Sequence, residues 1–220
     1  MLSPLLALTI IIVQTALVTL VAVRSRGEVA SRLFISFCIA VILMIGGVLL
    51  RDAARTPEEA YVSLGLATTM LGYYLALMLL LFSALFVPQW WEGPALLRRP
   101  IFWISLPYFL TSTVLGLDIA GRLGFVVEGV RLDDIYRLTY VRSTAIVFVL
   151  LAAVGHVVLL TLLGFAFFDR RHRHIRSAIA LLFLPLLFSV VLGALTPRLG
   201  QISNVLTQIQ ILPMVATLSY

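Results

Sequence analysis

The stretch LFISFCIAVILMIGGVLL, Leu33–Leu50, runs for 18 residues without a charge and is closed on both sides by arginine, Arg32 and Arg51. A helix needs about 20 mostly apolar residues to cross the roughly 30 Å of bilayer hydrocarbon. Backbone polar groups have no partner in lipid, so such a run is read as a helix that satisfies its own hydrogen bonds. The pattern recurs along the chain. Charge-free apolar segments at Leu2–Val23, Tyr61–Val87, Ile101–Leu117, Thr144–Phe168, Ser177–Leu195 and Ile202–Tyr220 bring the number of expected spans to seven. These runs do not alternate apolar with polar residues, which excludes a transmembrane barrel.

Composition agrees. The 220 residues are 61% hydrophobic and 12% charged, with a mean hydropathy of +1.09. Soluble domains are closer to 45–50% apolar and about 25% charged, so lipid must be much of this chain's solvent. The expected fold is all-α, a single multi-pass bundle over residues 1–220. The net charge of +6 comes from 16 arginines and no lysine. Those charges sit between apolar runs and form no continuous basic face, so no nucleic-acid partner is expected. Cys38 is the one cysteine, which rules out an internal disulfide; it reads as a small buried hydrophobe.

Charge also orients the chain. The first apolar run has no basic residue before it and is too long for a cleavable signal peptide. Arg24, Arg26 and Arg32 follow it, so the N-terminus is expected outside. Loops then expected inside carry nine arginines against three acids, and those expected outside carry seven arginines against seven acids. The dense stretch Arg170, Arg171, Arg173 and Arg176, with His172 and His174 between, is the expected cytoplasmic clamp. Trp90, Trp91 and Trp103 fall at the inner boundary, and Tyr61, Tyr136 and Tyr140 near the outer one, where amphipathic rings settle at headgroup level.

The longest loop, residues 118–143, is expected outside. Within it, two β-prone runs flank Glu128-Gly129, which reads either as a small hairpin turning at that pair or as a simple connector. Prolines interrupt three spans, at Pro107, Pro185 and Pro213, without the matched spacing of an inverted-repeat transporter.

Few polar side chains lie within the spans. His156, near the middle of the fifth, is a sensing candidate because an ionisable group is expensive there; a neutral imidazole bonded to a neighbouring helix is the plainer reading. Asn204 and Gln208 share one face of the last span, four residues apart, and either line a polar pocket or hold helices together. Gln14 and the Tyr73-Tyr74 pair pose the same question. Asp118, at the outer end of the fourth span, pairs with an arginine of its loop, faces an outer pocket or, on the plainer reading, is an ordinary interfacial charge, and Glu128 is the remaining candidate in that loop. The sequence contains no H-E-x-x-H, no P-loop and no G-x-S-x-G elbow. No cofactor, metal site or catalytic activity is expected in these residues.

The seven-span N-out pattern, the extended loop with its hairpin-like segment, and the final run ILPMVATLSY, residues 211–220 with Pro213, resemble the N-terminal seven-helix input region of bacterial sensor histidine kinases. The resemblance covers essentially the whole chain but carries no diagnostic motif. It implies a sensor of the bacterial inner membrane that binds a small ligand of unknown identity and acts as a homodimer. It also implies a cytoplasmic signalling domain following Tyr220, so that the whole protein would be a histidine kinase. The apolar ending at Tyr220 reads the same way. The other classes weighed are a small-solute permease or transporter subunit, a lipid-acting enzyme, and a structural subunit of a membrane complex.

Overall fold

The computed structural model describes residues 4–24, 29–91, 99–132 and 136–140, together with 154, 157–158 and 160–169. Four long helices dominate: α1 (Pro4–Arg24), α2 (Val29–Ala53), α3 (Pro57–Phe86) and α4 (Pro100–Gly121). A short 3-10 turn, Pro88–Trp91, follows α3. Two strands, β1 (Val127–Leu132) and β2 (Tyr136–Tyr140), follow α4, and residues 160–168 are again helical. All four long helices have the length and apolarity to cross a membrane. The expected sixth and seventh spans, and most of the fifth, lie outside the described residues.

The helices overrun the charge-free segments from which they were expected. α2 begins at Val29 and ends at Ala53, taking in Arg32, Arg51 and Asp52; α3 begins at Pro57; α4 continues to Gly121. Hydropathy locates the lipid-crossing part of a helix, whereas caps locate its ends. At α3 the cap is Thr56, whose hydroxyl accepts the Glu59 N–H at 3.3 Å, with Pro57 in the first turn where its missing N–H costs nothing. Glu59 reaches back to accept the Arg55 N–H at 2.8 Å, a capping box displaced by one residue. Glu58 and Glu59 also place negative charge at the positive end of the helix.

α3 is the central element and packs on both α2 and α4. Its contacts are close because small residues line them. A methyl added at Gly47 of α2 would meet the Ala67 nitrogen at 2.9 Å and the Ser63 carbonyl oxygen at 3.0 Å. One added at Gly65 of α3 would meet the Gly116 carbonyl oxygen of α4 at 2.9 Å. Thr69 packs on Gly116, and Ser112 packs on Gly72. Gly65, Thr69 and Gly72 share one face of α3, and Ser112, Gly116 and Ala120 share one face of α4. In lipid, helices gain little from hiding apolar surface from one another, so close approach and interhelical hydrogen bonds must supply the attraction. Tyr73 adds one such bond, from its hydroxyl to that of Thr113 at 3.0 Å, and stacks edge-on against Phe109.

The interior between these helices is built from Phe37, Val41 and Ile45 of α2, Met78 and Phe82 of α3, and Tyr108 of α4. Large apolar side chains also point outward on every helix, among them Ile12, Leu43, Leu71 and Leu110. Exposed apolar surface on this scale is a liability in water and is what a bilayer covers.

The glycine contacts generate a prediction. Gly65→Leu or Gly116→Leu should lower the thermal midpoint in detergent, the overpacking costing about 1–3 kcal/mol. Gly46→Ala, next door but with nothing within 4 Å of an added methyl, should leave the midpoint unchanged or raise it. Scanning fluorimetry of the three variants checks this, and equal midpoints would contradict the packing.

Candidate functional site

The α2–α3 turn, the end of α4 and the root of the sheet meet at one end of the bundle. α4 stops at Arg122, whose backbone is left-handed at φ 53° and ψ 41°. The Arg122 N–H returns to the Ile119 carbonyl at 3.2 Å and the Leu123 N–H to the Asp118 carbonyl at 3.0 Å, satisfying carbonyls left over at the helix end. An arginine in this conformation pays a steric penalty that glycine avoids. Two contacts hold it there: its guanidinium donates to Glu58 Oε1 at 2.9 Å and lies 4.7 Å from the centre of the Tyr61 ring. Glycine does supply the second left-handed residue, Gly124, at φ +77°.

These two reversals turn three consecutive backbone N–H groups toward Asp118. Its side chain is 1% exposed. Oδ1 accepts from Phe125 at 2.8 Å, and Oδ2 accepts from Val126 at 2.8 Å and Val127 at 2.9 Å. Successive N–H groups of this kind form an anion-binding concavity, and here the chain's own carboxylate fills it. A carboxylate in such a place forms charge-assisted bonds stronger than neutral ones. Beneath it, Ala60 and Leu64 of α3, Ile119 of α4 and Val127 of β1 form a small buried apolar cluster. The root of β1 is thus fixed to both helices.

This geometry revises two expectations. Among the described residues Asp118 pairs with no arginine, and it is buried rather than facing a pocket: its bonds go to backbone N–H groups, and it acts as a positioning residue. Arg122, one of the four arginines of the 118–143 loop, pairs instead with Glu58 of α3. Glu128 and Gly129 do not form a turn either. Both lie inside β1, which pairs antiparallel with β2 from Val127↔Tyr140 to Leu132↔Tyr136, with an irregularity between Val127 and Gly129. The irregularity is where the chain leaves the Asp118 cradle, so the strand begins earlier than a turn at Glu128-Gly129 would allow. Glu128 is exposed and is not brought to Asp118 by any described contact.

The remaining candidates divide. His156, Asn204, Gln208, Arg170, Arg171, Arg173 and Arg176 lie outside the described residues. Tyr73 holds two helices together. Gln14 is buried, and among the described residues neither of its amide atoms has a hydrogen-bond partner, a costly arrangement for an amide in apolar surroundings.

At the other end of the bundle there is a cleft of about 510 Å³, between Phe86 at the end of α3, Val87 just after it, Ile104 of α4, and Thr161, Leu162 and Phe165. Its lining is mostly apolar, with Gln89, Thr161 and Asp169 at the polar positions, and its size falls in the range of small-molecule clefts. Sequence reasoning does not find it, because each contributing segment reads simply as apolar span. Nearby, the Trp91 indole N–H donates to the Ser83 hydroxyl at 3.0 Å, fastening the 3-10 turn to α3. Among the described residues, no group of three or more metal-ligating side chains occurs.

Compared with known proteins, the chain matches no family model and no curated protein sequence.

The Asp118 cradle can be tested directly. Asp118→Asn removes one acceptor oxygen and turns an amide donor toward N–H groups. It should cost about 1.5–3 kcal/mol, the range for hydrogen bonds to a charged group, and accelerate hydrogen exchange at Phe125–Val127. Glu128→Gln, altering an exposed side chain that no described contact brings to Asp118, should leave both readouts unchanged. Unaltered exchange in the Asp118 variant would show that the carboxylate does not hold the loop.

Proposed function

We propose that this chain is a membrane-embedded sensory input module, in which a stimulus acting at the sheet end or within the bundle shifts the helices. One observation carries the reading. The sheet is clamped to the bundle at its root, by Asp118 and by the Val127–Ile119–Leu64 cluster, so a force on the sheet reaches α3 and α4 rather than dissipating in a slack linker. A sensor must bind its stimulus with different affinity in two conformations, and a clamped extramembrane element gives the stimulus a lever on the helices.

In this reading the chain crosses the bacterial inner membrane seven times, with its N-terminus outside and the sheet on the outer face between the fourth and fifth helices. The seventh helix passes the shift to a cytoplasmic signalling domain of the histidine kinase type, in a homodimer. His156, Asn204 and Gln208 contact the stimulus. The resemblance in overall pattern supports this, as does the absence of a catalytic motif from the sequence. The permease reading would draw support from a polar path along the helices, and most polar side chains of the described helices are instead spent on capping, helix contacts and bonds to their own backbone.

Two outcomes are expected. In a Cys38→Ala background, Glu128→Cys should react with a membrane-impermeant maleimide in intact spheroplasts; labelling only after lysis would reverse the orientation. In the whole protein, alanine at both His156 and Gln208 should displace the dose–response curve of the output while membrane insertion stays normal. An unchanged curve would remove those residues from the site.

A further inference from the structure

We infer that the loop joining α4 to the sheet is a membrane anchor: Leu123 and Phe125 insert into the bilayer at the boundary between headgroups and acyl chains. The inference rests on reading α4 as a span and is independent of the sensory role.

The outward face of α4 carries Leu110, Val114 and Leu117, the last 61% exposed. With spacings of four and three, these residues form one stripe along the helix, and Gly121 is the next position on it. Gly121 has no side chain to continue the stripe. Leu123 takes its place: an added Gly121 methyl would lie 3.4 Å from Leu123 Cγ and 3.5 Å from Cδ2. The Leu123 side chain therefore folds back over the end of the helix and extends the apolar stripe, while remaining 57% exposed. Phe125, two residues on, is 66% exposed.

Such exposure on a floppy loop would mean little. Here the backbone is fixed: Arg122 is held left-handed, the Leu123 N–H is bonded to the Asp118 carbonyl, and the Phe125 N–H is bonded to the Asp118 carboxylate. The left-handed residue also sorts the neighbouring side chains. Arg122 turns to Glu58 and the Tyr61 ring of α3, and Leu123 turns to the outer face of α4. Arginine and tyrosine are headgroup-level residues, and leucine and phenylalanine are acyl-boundary residues. α4 has 22 residues, or about 33 Å at 1.5 Å per residue, which matches the hydrocarbon thickness and brings its end to that boundary. The surface that meets Leu123 is thus the one that already covers Leu117, namely lipid. The sheet then lies at the membrane surface, and whatever it meets is met there.

The test uses the full chain in phosphatidylcholine–phosphatidylglycerol vesicles, in a Cys38→Ala background. Nitroxide labels are placed singly by Leu117→Cys, Leu123→Cys, Phe125→Cys and Glu128→Cys. None of these changes removes a backbone N–H, so the Asp118 cradle is retained. Collision with dissolved oxygen reports lipid, and collision with a nickel chelate reports water. The oxygen-to-nickel ratio at 123 and 125 should match that at 117 and exceed that at 128 severalfold. Ratios at 123 and 125 equal to that at 128 would place the loop in water and overturn the anchor. Low access to both colliders would mean that protein covers the loop, and would overturn it equally. A water-like ratio at 117 would refute the span itself, an outcome distinct from failure of the anchor alone.

Discussion

Everything described in this bundle depends on how closely α3 approaches its neighbours. Gly47 brings α2 onto the backbone of Ser63 and Ala67, and Gly65 and Gly116 bring α3 and α4 together carbonyl to backbone. In water, burial of apolar surface would hold the helices together regardless of such detail. In lipid that term is nearly absent, because the competing solvent is itself apolar. Attraction then comes from dispersion across short distances, where a radial gap of even 1 Å forfeits much of the well. One added methyl would open that gap, which gives these glycines more weight than a leucine of the outer face.

The close α3–α4 contact has a consequence at its end. With the two helices in register, Ile119 and Leu64 form a floor on which Val127 rests, and Glu58 of α3 comes within reach of Arg122. Asp118 then binds the chain that has just reversed above it. The same reversal separates Arg122 from Leu123, so that one small turn sends a cation toward α3 and an apolar side chain onto the outer surface. Capping, sheet attachment and contact with the bilayer are thereby determined by a single short segment.

The candidate site was partly legible in the sequence. Asp118 stood out as a charge at the end of an apolar run, and the β-prone residues after it marked strand structure. Its role could not be read, because that role depends on where three backbone N–H groups point, and backbone direction follows from the left-handed residues at 122 and 124. Gly124 hints at such a residue; Arg122 does not, since the side-chain contacts that hold it there are with Glu58 and Tyr61, 64 and 61 positions away in the chain. The turn expected at Glu128-Gly129 failed for a related reason. Turn propensity is local, and the strand's start was decided by its attachment to Asp118.

By itself the sequence located four helices long and apolar enough to cross a membrane, roughly where the structure has them, since solvent preference accumulates residue by residue and needs no partner. Only the tertiary structure decided which glycines meet which backbone, that the Asp118 carboxylate is consumed by its own loop, and that Leu123 replaces the missing side chain of Gly121. Each of these is a relation between groups whose distance depends on how the helices pack and the chain turns, and such distances are not additive properties of the residues that make them.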